Sequence, residues 1–167
     1  MGIVGKLKKL LKGSYEKAIE DGMHVGKGVS VMGNTSFGSE PYLITLEDYV
    51  RISCNVVFVT HDGGTWAFRD LPEYSDIIKY GKIRVGERTF IGCNATIMPG
   101  VTIGKRCVIG AGSVVTKDVP DGTVVAGVPA RVVMTTEEYA RKCKQGMKPY
   151  DKEAYLADKK AYLQKYL

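Results

Sequence analysis

A branched aliphatic residue returns every six positions through the middle of this chain. Val85, Ile91, Ile97, Ile103, Ile109 and Val115 hold that interval, separated by GERTF, GCNAT, MPGVT, GKRCV and GAGSV. Glycine follows the branched residue in four of these five segments, and the fourth inter-segment position is small or modest: Thr89, Ala95, Val101, Cys107, Ser113. A helix does not account for the period. Six steps of about 100° turn the side chain through about 600°, so successive apolar residues would walk around the axis. One strand of that length is far beyond the usual range. What remains is a coil with three short strands per turn, each pointing one branched residue inward, with equivalent positions stacked about 4.8 Å apart.

The same register extends upstream. Val25, Val31 and Phe37 are six apart, as are Leu46, Ile52 and Phe58. Three columns result: Val25, Leu46, Val85, Ile103; then Val31, Ile52, Ile91, Ile109; then Phe37, Phe58, Ile97, Val115. Three residues are inserted between Phe37 and Leu46, and a longer insertion, about residues 62–82, follows Phe58. Three positions after the second column stand Asn34, Asn55, Asn94 and Gly112. Asn and Gly tolerate left-handed backbone, so a column of turn residues falls where the coil needs a corner.

Composition sets the outer bounds. The 167 residues suffice for one domain with a real core, and 44% hydrophobic with 25% charged residues is ordinary for a globular chain. The net charge of +6 is concentrated toward the ends, where it could attract polyanions, including a phosphorylated cofactor. No nucleic-acid motif is present, which argues against nucleic acid as a partner. The lysines in MGIVGKLKKLLKG and the lack of a small-residue cleavage site argue against a signal peptide, and no apolar run approaches a membrane span. Cys54, Cys93, Cys107 and Cys143 lack metal-ligand or CxxC spacing and read as reduced thiols of a cytoplasmic protein.

The expected layout is a single domain over 1–167. Residues 1–20 form an N-terminal amphipathic helix, with Ile3, Val4, Leu7, Leu10, Leu11, Ala18 and Ile19 on one face and lysines opposite. It packs on the first coil or on another subunit; an interfacial membrane helix is the alternative, without stable insertion. The coil occupies 25–132 with its loop at 62–82. Residues 135–167 are helical: Thr135 and Glu138 form a capping box for a helix to about Lys144, and a second amphipathic helix starts near Asp151.

Chemistry points to VTHDGGTW, residues 59–66, where the repeat breaks. His61 lies at the corner after Phe58, where the loop leaves the coil. Free histidine titrates near neutrality, as a general base for a hydroxyl requires. The bland alternative is a surface or loop-packing histidine. The loop adds Asp62, Trp66, Phe68, Arg69, Asp70, Glu73 and Tyr74, a mixture of aromatic and polar groups that suits a sugar. Asp62 either orients His61, accepts a substrate hydroxyl or is the turn residue before Gly63-Gly64. Asn55 serves as a corner residue or a substrate contact, and His24 has no role.

The hexads, VTHDGGTW, GAGSVVTKDVP and AGVPARVV together resemble the hexapeptide-repeat acyltransferases. The resemblance implies a mainly β fold, the left-handed parallel β-helix, with the hand supplied by the family and not by the period. It implies an O-acetyltransferase that uses acetyl-CoA, acts on a saccharide hydroxyl of a capsule or lipopolysaccharide precursor or another sugar, and assembles as a homotrimer. It makes His61 the catalytic base and the Cys93 backbone N–H an oxyanion donor, where many relatives carry serine. Ala111 would contact the pantetheine arm, Thr116 and Lys117 the adenosine end, and Arg131 a phosphate. Asp62, Trp66, Arg69 and Asn55 are the expected acceptor contacts. An antibiotic-modifying O-acetyltransferase and a non-catalytic scaffold remain as alternatives. A three-histidine metal site is not available, since the chain has only His24 and His61.

Overall fold

The computed structural model describes residues 13–148 and 150–166. Within them the chain winds through thirteen short strands that stack into three sheets. The first sheet is β1 (His24–Val25), β3 (Ile44–Leu46), β6 (Ile83–Val85) and β9 (Thr102–Ile103). The second begins with β2 (Ser30–Val31), β4 (Arg51–Ile52), β7 (Phe90–Ile91) and β10 (Val108–Ile109). The third holds β5 (Val57–Phe58), β8 (Thr96–Ile97) and β11 (Val114–Val115). All these pairings are parallel. Val25 pairs with Leu46 and Leu46 with Val85; Ile52 pairs with Ile91 and Ile91 with Ile109; Phe58 pairs with Ile97 and Ile97 with Val115. The three columns expected from the period are therefore the three inward columns of the prism.

Each face contributes a second inward residue two positions earlier, as strand alternation requires. Thr89, Ala95, Val101, Cys107 and Ser113 are all buried, which explains why that hexad position is small. The buried hydroxyls are mostly paired: Thr89 Oγ1 donates to Gly104 O at 2.8 Å and accepts from Cys107 N at 3.0 Å. Ser113 Oγ accepts from Gly127 N at 3.2 Å. Among the described residues, Thr35 Oγ1 is the buried side-chain oxygen without a partner. An unpaired buried hydroxyl costs about 1–3 kcal/mol. Thr35→Val is therefore expected to raise the urea midpoint, by roughly 1 kcal/mol in unfolding free energy.

The corners correct one expectation. Left-handed backbone occurs at Asn55, Asn94 and Gly112, but on the first coil it falls on Gly33 and not on Asn34. The hydrogen bond there, Asn55 N to Asn34 O, is shifted by one residue relative to Asn94 N to Cys54 O and Gly112 N to Cys93 O above it. A second corner, three residues after the first column, holds Gly28, Tyr49, Arg88, Arg106 and Gly122, all at positive φ. Its non-glycine members are not marked by residue type. The Arg88 guanidinium lies 4.6 Å from the centroid of the Tyr49 ring one coil below, an arrangement that favours the stack.

Both ends of the coil are covered. Helix α1 (Ser14–Glu20) buries Ala18, and Tyr15 packs 6.1 Å from Phe37, which itself stacks on Phe58. Ile19 is exposed rather than on the packed face, and the expected helical residues 3–12 lie outside the described residues. At the other end β12 (Thr123–Gly127) adds in parallel to β10, and β13 (Ala130–Thr135) folds back antiparallel on β12.

The chain divides into two compact units, one ending at Thr136 and one beginning at Glu137. Helix α2 spans Thr136–Gly146, two residues beyond the expected end. The expected single helix from Asp151 is two: α3 (Lys152–Ala157) and α4 (Lys159–Tyr166). Asp151 Oδ1 caps α3 by accepting from the N–H groups of Glu153 and Ala154, and Asp158, with a non-helical backbone at φ −148° and ψ 89°, ends α3 and accepts from Ala161 N.

Candidate active site

The loop after β5 is closed at its neck. Gly81 N donates to Thr60 O at 2.9 Å, Asp62 N donates to Lys79 O at 2.8 Å, and His61 bridges Tyr80 in antiparallel fashion. An added Cβ at Gly81 would lie 2.2 Å from Gly100 N, so only glycine lets the returning strand lie against the next coil. Beyond the neck the loop makes 3₁₀ turns over Gly63–Phe68 and Pro72–Tyr74.

His61 sits at the neck with its imidazole 43% exposed. Its Nδ1 lies 3.0 Å from Glu40 Oε2, and the Tyr80 ring is tilted against it at 5.7 Å. Glu40 occupies the same corner one coil earlier, three residues after Phe37 as His61 is three after Phe58. Thr60 Oγ1 donates to the same Glu40 oxygen at 2.6 Å. The hydrogen bond from Thr60 holds the Glu40 carboxyl below the usual carboxylate range; partial burial opposes this, and His61 adds to it. An ionised carboxylate only accepts, so Nδ1 carries the proton in the neutral ring and Nε2 keeps a free lone pair. On the coil above, the corresponding corner position is Gly100, at φ 81°, where an added Cβ would meet nothing within 4 Å. The corner thus offers an anchored imidazole with an unobstructed position above it.

Asp62 does not orient the ring. Its Oδ1 accepts from Gly64 N at 2.9 Å and its Oδ2 pairs with Lys79 Nζ at 2.6 Å, so it caps the first loop turn and ties the neck. Those bonds hold its carboxyl below the usual range, that from Lys79 contributing most. Trp66 is 79% exposed and lines a shallow cavity with Arg69 and Asp70, while Arg69 Nη2 also holds Thr65 Oγ1 at 3.1 Å.

The remaining expected residues fall elsewhere on the prism. Cys93, Asn55 and Ala111 belong to the corner between the second and third columns, one face away from His61. At no more than about 3.5 Å per residue, a face separates the two corners by roughly 15–20 Å. Among the described residues the Cys93 N–H has no backbone acceptor. Lys117 and Arg131 share a cavity of about 230 Å³ between β11 and the terminal hairpin, and Thr116 is exposed beside them.

A family model for the bacterial transferase hexapeptide (six repeats) matches residues 82–117. Protein CapG of Staphylococcus aureus is 43% identical over 152 residues, which cover 90% of this chain and 87% of that protein. The crystal structure of a maltose O-acetyltransferase from Clostridium difficile superposes with a TM-score of 0.56 at 30% identity, covering 78% of this chain and 83% of that one. The chain belongs to the hexapeptide-repeat acetyltransferases. Its fold is accordingly the left-handed parallel β-helix, and it is an acyltransferase. A hexapeptide-repeat acetyltransferase of Vibrio cholerae, solved in complex with acetyl-CoA, superposes with a TM-score of 0.53 at 27% identity, covering 72% of this chain and 75% of that one.

Glu40 is the site residue that sequence reasoning missed. The signal was present: the residue sits in the three-residue insertion after Phe37, in the column that contains His61.

Proposed function

We propose that this acetyltransferase moves an acetyl group from acetyl-CoA directly to a saccharide hydroxyl, with His61 as the general base. The observation that carries this reading is the anchored imidazole: Glu40 fixes Nδ1 as the protonated nitrogen at 3.0 Å and leaves Nε2 as the acceptor. Nε2 takes the proton of the acceptor hydroxyl as its oxygen attacks the thioester carbonyl. The Cys93 N–H donates to the oxyanion of the tetrahedral intermediate. When the C–S bond breaks, the leaving thiolate takes the proton from Nε2 and the imidazole returns to its neutral form. The Glu40 carboxylate offsets the charge of the transient imidazolium.

His61 and Cys93 sit on different corners of one prism, so a site that uses both forms only where two copies meet. A closed ring of three identical coils, each presenting its His61 corner to the next chain's Cys93 corner, satisfies this for every copy. Lys117 and Arg131 supply cations for the phosphates of the coenzyme, with Thr116 and Ala111 along its length. Asp62, Trp66, Arg69 and Asn55 frame the acceptor; an exposed indole suits the apolar face of a sugar ring. A cytoplasmic location goes with this reading, on the ground that Cys54, Cys93, Cys107 and Cys143 lack metal-ligand or CxxC spacing. The maltose-acetylating relative supports a sugar acceptor, and the acetyl-CoA complex supports the donor.

Release of free CoA, followed across mono-, oligo- and nucleotide-linked sugars, tests the assignment. Turnover with a saccharide supports it; absence of both acetyl transfer and CoA binding overturns it. Arg131→Glu is expected to raise KM for acetyl-CoA by about 10–100-fold, the worth of one charge-assisted hydrogen bond, with kcat little changed in initial-rate kinetics.

A further inference from the structure

Two of the four thiols occupy one column. Parallel pairing of Ile52 with Ile91 carries on through the corner: Ser53 N donates to Ile91 O at 2.9 Å, and Asn94 N donates to Cys54 O at 3.1 Å. This register sets Cys54 directly against Cys93 on the next coil. Stacked coils place such residues about 4.8 Å apart at Cα, inside the 4.4–6.8 Å range of disulfides. Both side chains leave the prism on the same side, since Cys54 is exposed and Cys93 partly so. Reaching the roughly 3.8 Å Cβ separation of a disulfide asks the two Cβ atoms to lean together by about an ångström in total.

We propose that Cys54 and Cys93 form a reversible intrachain disulfide when the protein meets a small-molecule disulfide, and that this bond halts acetyl transfer. The Cys54 thiolate attacks the reagent's S–S bond, forming a mixed disulfide and releasing one thiolate, which takes up a proton. The Cys93 thiolate then attacks the Cys54 sulfur and displaces the second. The protein loses two electrons and two protons, and the reagent is reduced to two thiols. The effect on turnover rests on the reading of Cys93 N–H as an oxyanion donor, because the new bond pulls that residue toward the coil below. Access is not restricted: a corner that admits a thioester also admits a small disulfide.

Cystamine treatment of the whole protein, followed by non-reducing peptide mapping, tests the pair. Cys143, exposed on α2, and Cys107, buried, are internal references: the first should keep a cystamine adduct and the second its thiol. Cys54 and Cys93 peptides should appear joined, outnumbering doubly capped chains by at least about 10 to 1 because the second exchange is intramolecular. Cys54→Ser should retain full turnover before treatment and afterwards hold a stable adduct at Cys93. Persistent adducts on both Cys54 and Cys93 in the unsubstituted protein, or joined peptides found only between chains, overturn the proposal. Turnover of the joined form should fall at least about tenfold and recover with dithiothreitol. Joined peptides with undiminished turnover keep the thiol pair and remove the Cys93 donor.

Discussion

His61→Ala is expected to lower kcat for acetyl transfer by about 10²–10⁴-fold, the usual worth of a positioned general base. Acetyl-CoA affinity, measured by calorimetry, should stay within about twofold, because Lys117 and Arg131 lie toward the terminal hairpin and not at the loop neck. The loop should remain in place in the variant. Its neck is held by Gly81 N to Thr60 O, by Asp62 N to Lys79 O and by the Asp62–Lys79 ion pair, none of which uses the imidazole. Unchanged coenzyme affinity with lost turnover therefore isolates proton transfer. Retained turnover in His61→Ala would reject the base assignment outright.

Glu40→Leu is expected to lower kcat by about 10²-fold while KM for both substrates changes little. The substitution removes the acceptor that sets the tautomer and the charge that offsets the imidazolium. Glu40→Gln should lose only about tenfold, because an amide oxygen still accepts from Nδ1 and Thr60 while the charge is gone. The double variant Glu40→Leu/His61→Ala should be no slower than His61→Ala alone, since the carboxylate acts only through the ring. Additive losses would show that Glu40 acts by another route. Stability offers a second readout. The Glu40 carboxyl titrates lower in the folded chain than its ordinary 4.5, so its contribution is fully present above that value. It fades as pH falls through the depressed folded value. The difference in urea midpoint between Glu40→Gln and the unsubstituted protein should therefore close in acid.

The period of six was enough to place the three inward columns from Val25 to Val115, because in a β-helix the burial pattern and the strand register are the same constraint. It did not extend them to Val119 and Val125, which continue the first and second columns where the hexads end. The column of Leu46, Val85 and Ile103 was legible for that reason. The corner at Tyr49, Arg88 and Arg106 was not, since residue type normally marks left-handed backbone and neither tyrosine nor arginine is such a mark. His61 was legible because it stood at a break in the repeat. Glu40 was hidden because its insertion is short and its partner is a coil away in sequence. The split of the C-terminal helix at Asp158 was missed because Asp is tolerated within helices and its capping role depends on the geometry of the following turn.

Each rung of the prism is tied mainly to the rung before and the rung after, so the scaffold has no intrinsic length. Duplication of one full turn between β8 and β9 would preserve every buried column. It would also carry Lys117 and Arg131 further from His61 in one step of about 4.8 Å along the axis. The protein is in this sense a measuring rod graduated in whole turns. On the proposed placement of the coenzyme phosphates at Lys117 and Arg131, the coenzyme's length sets how many graduations lie between the imidazole and the terminal hairpin.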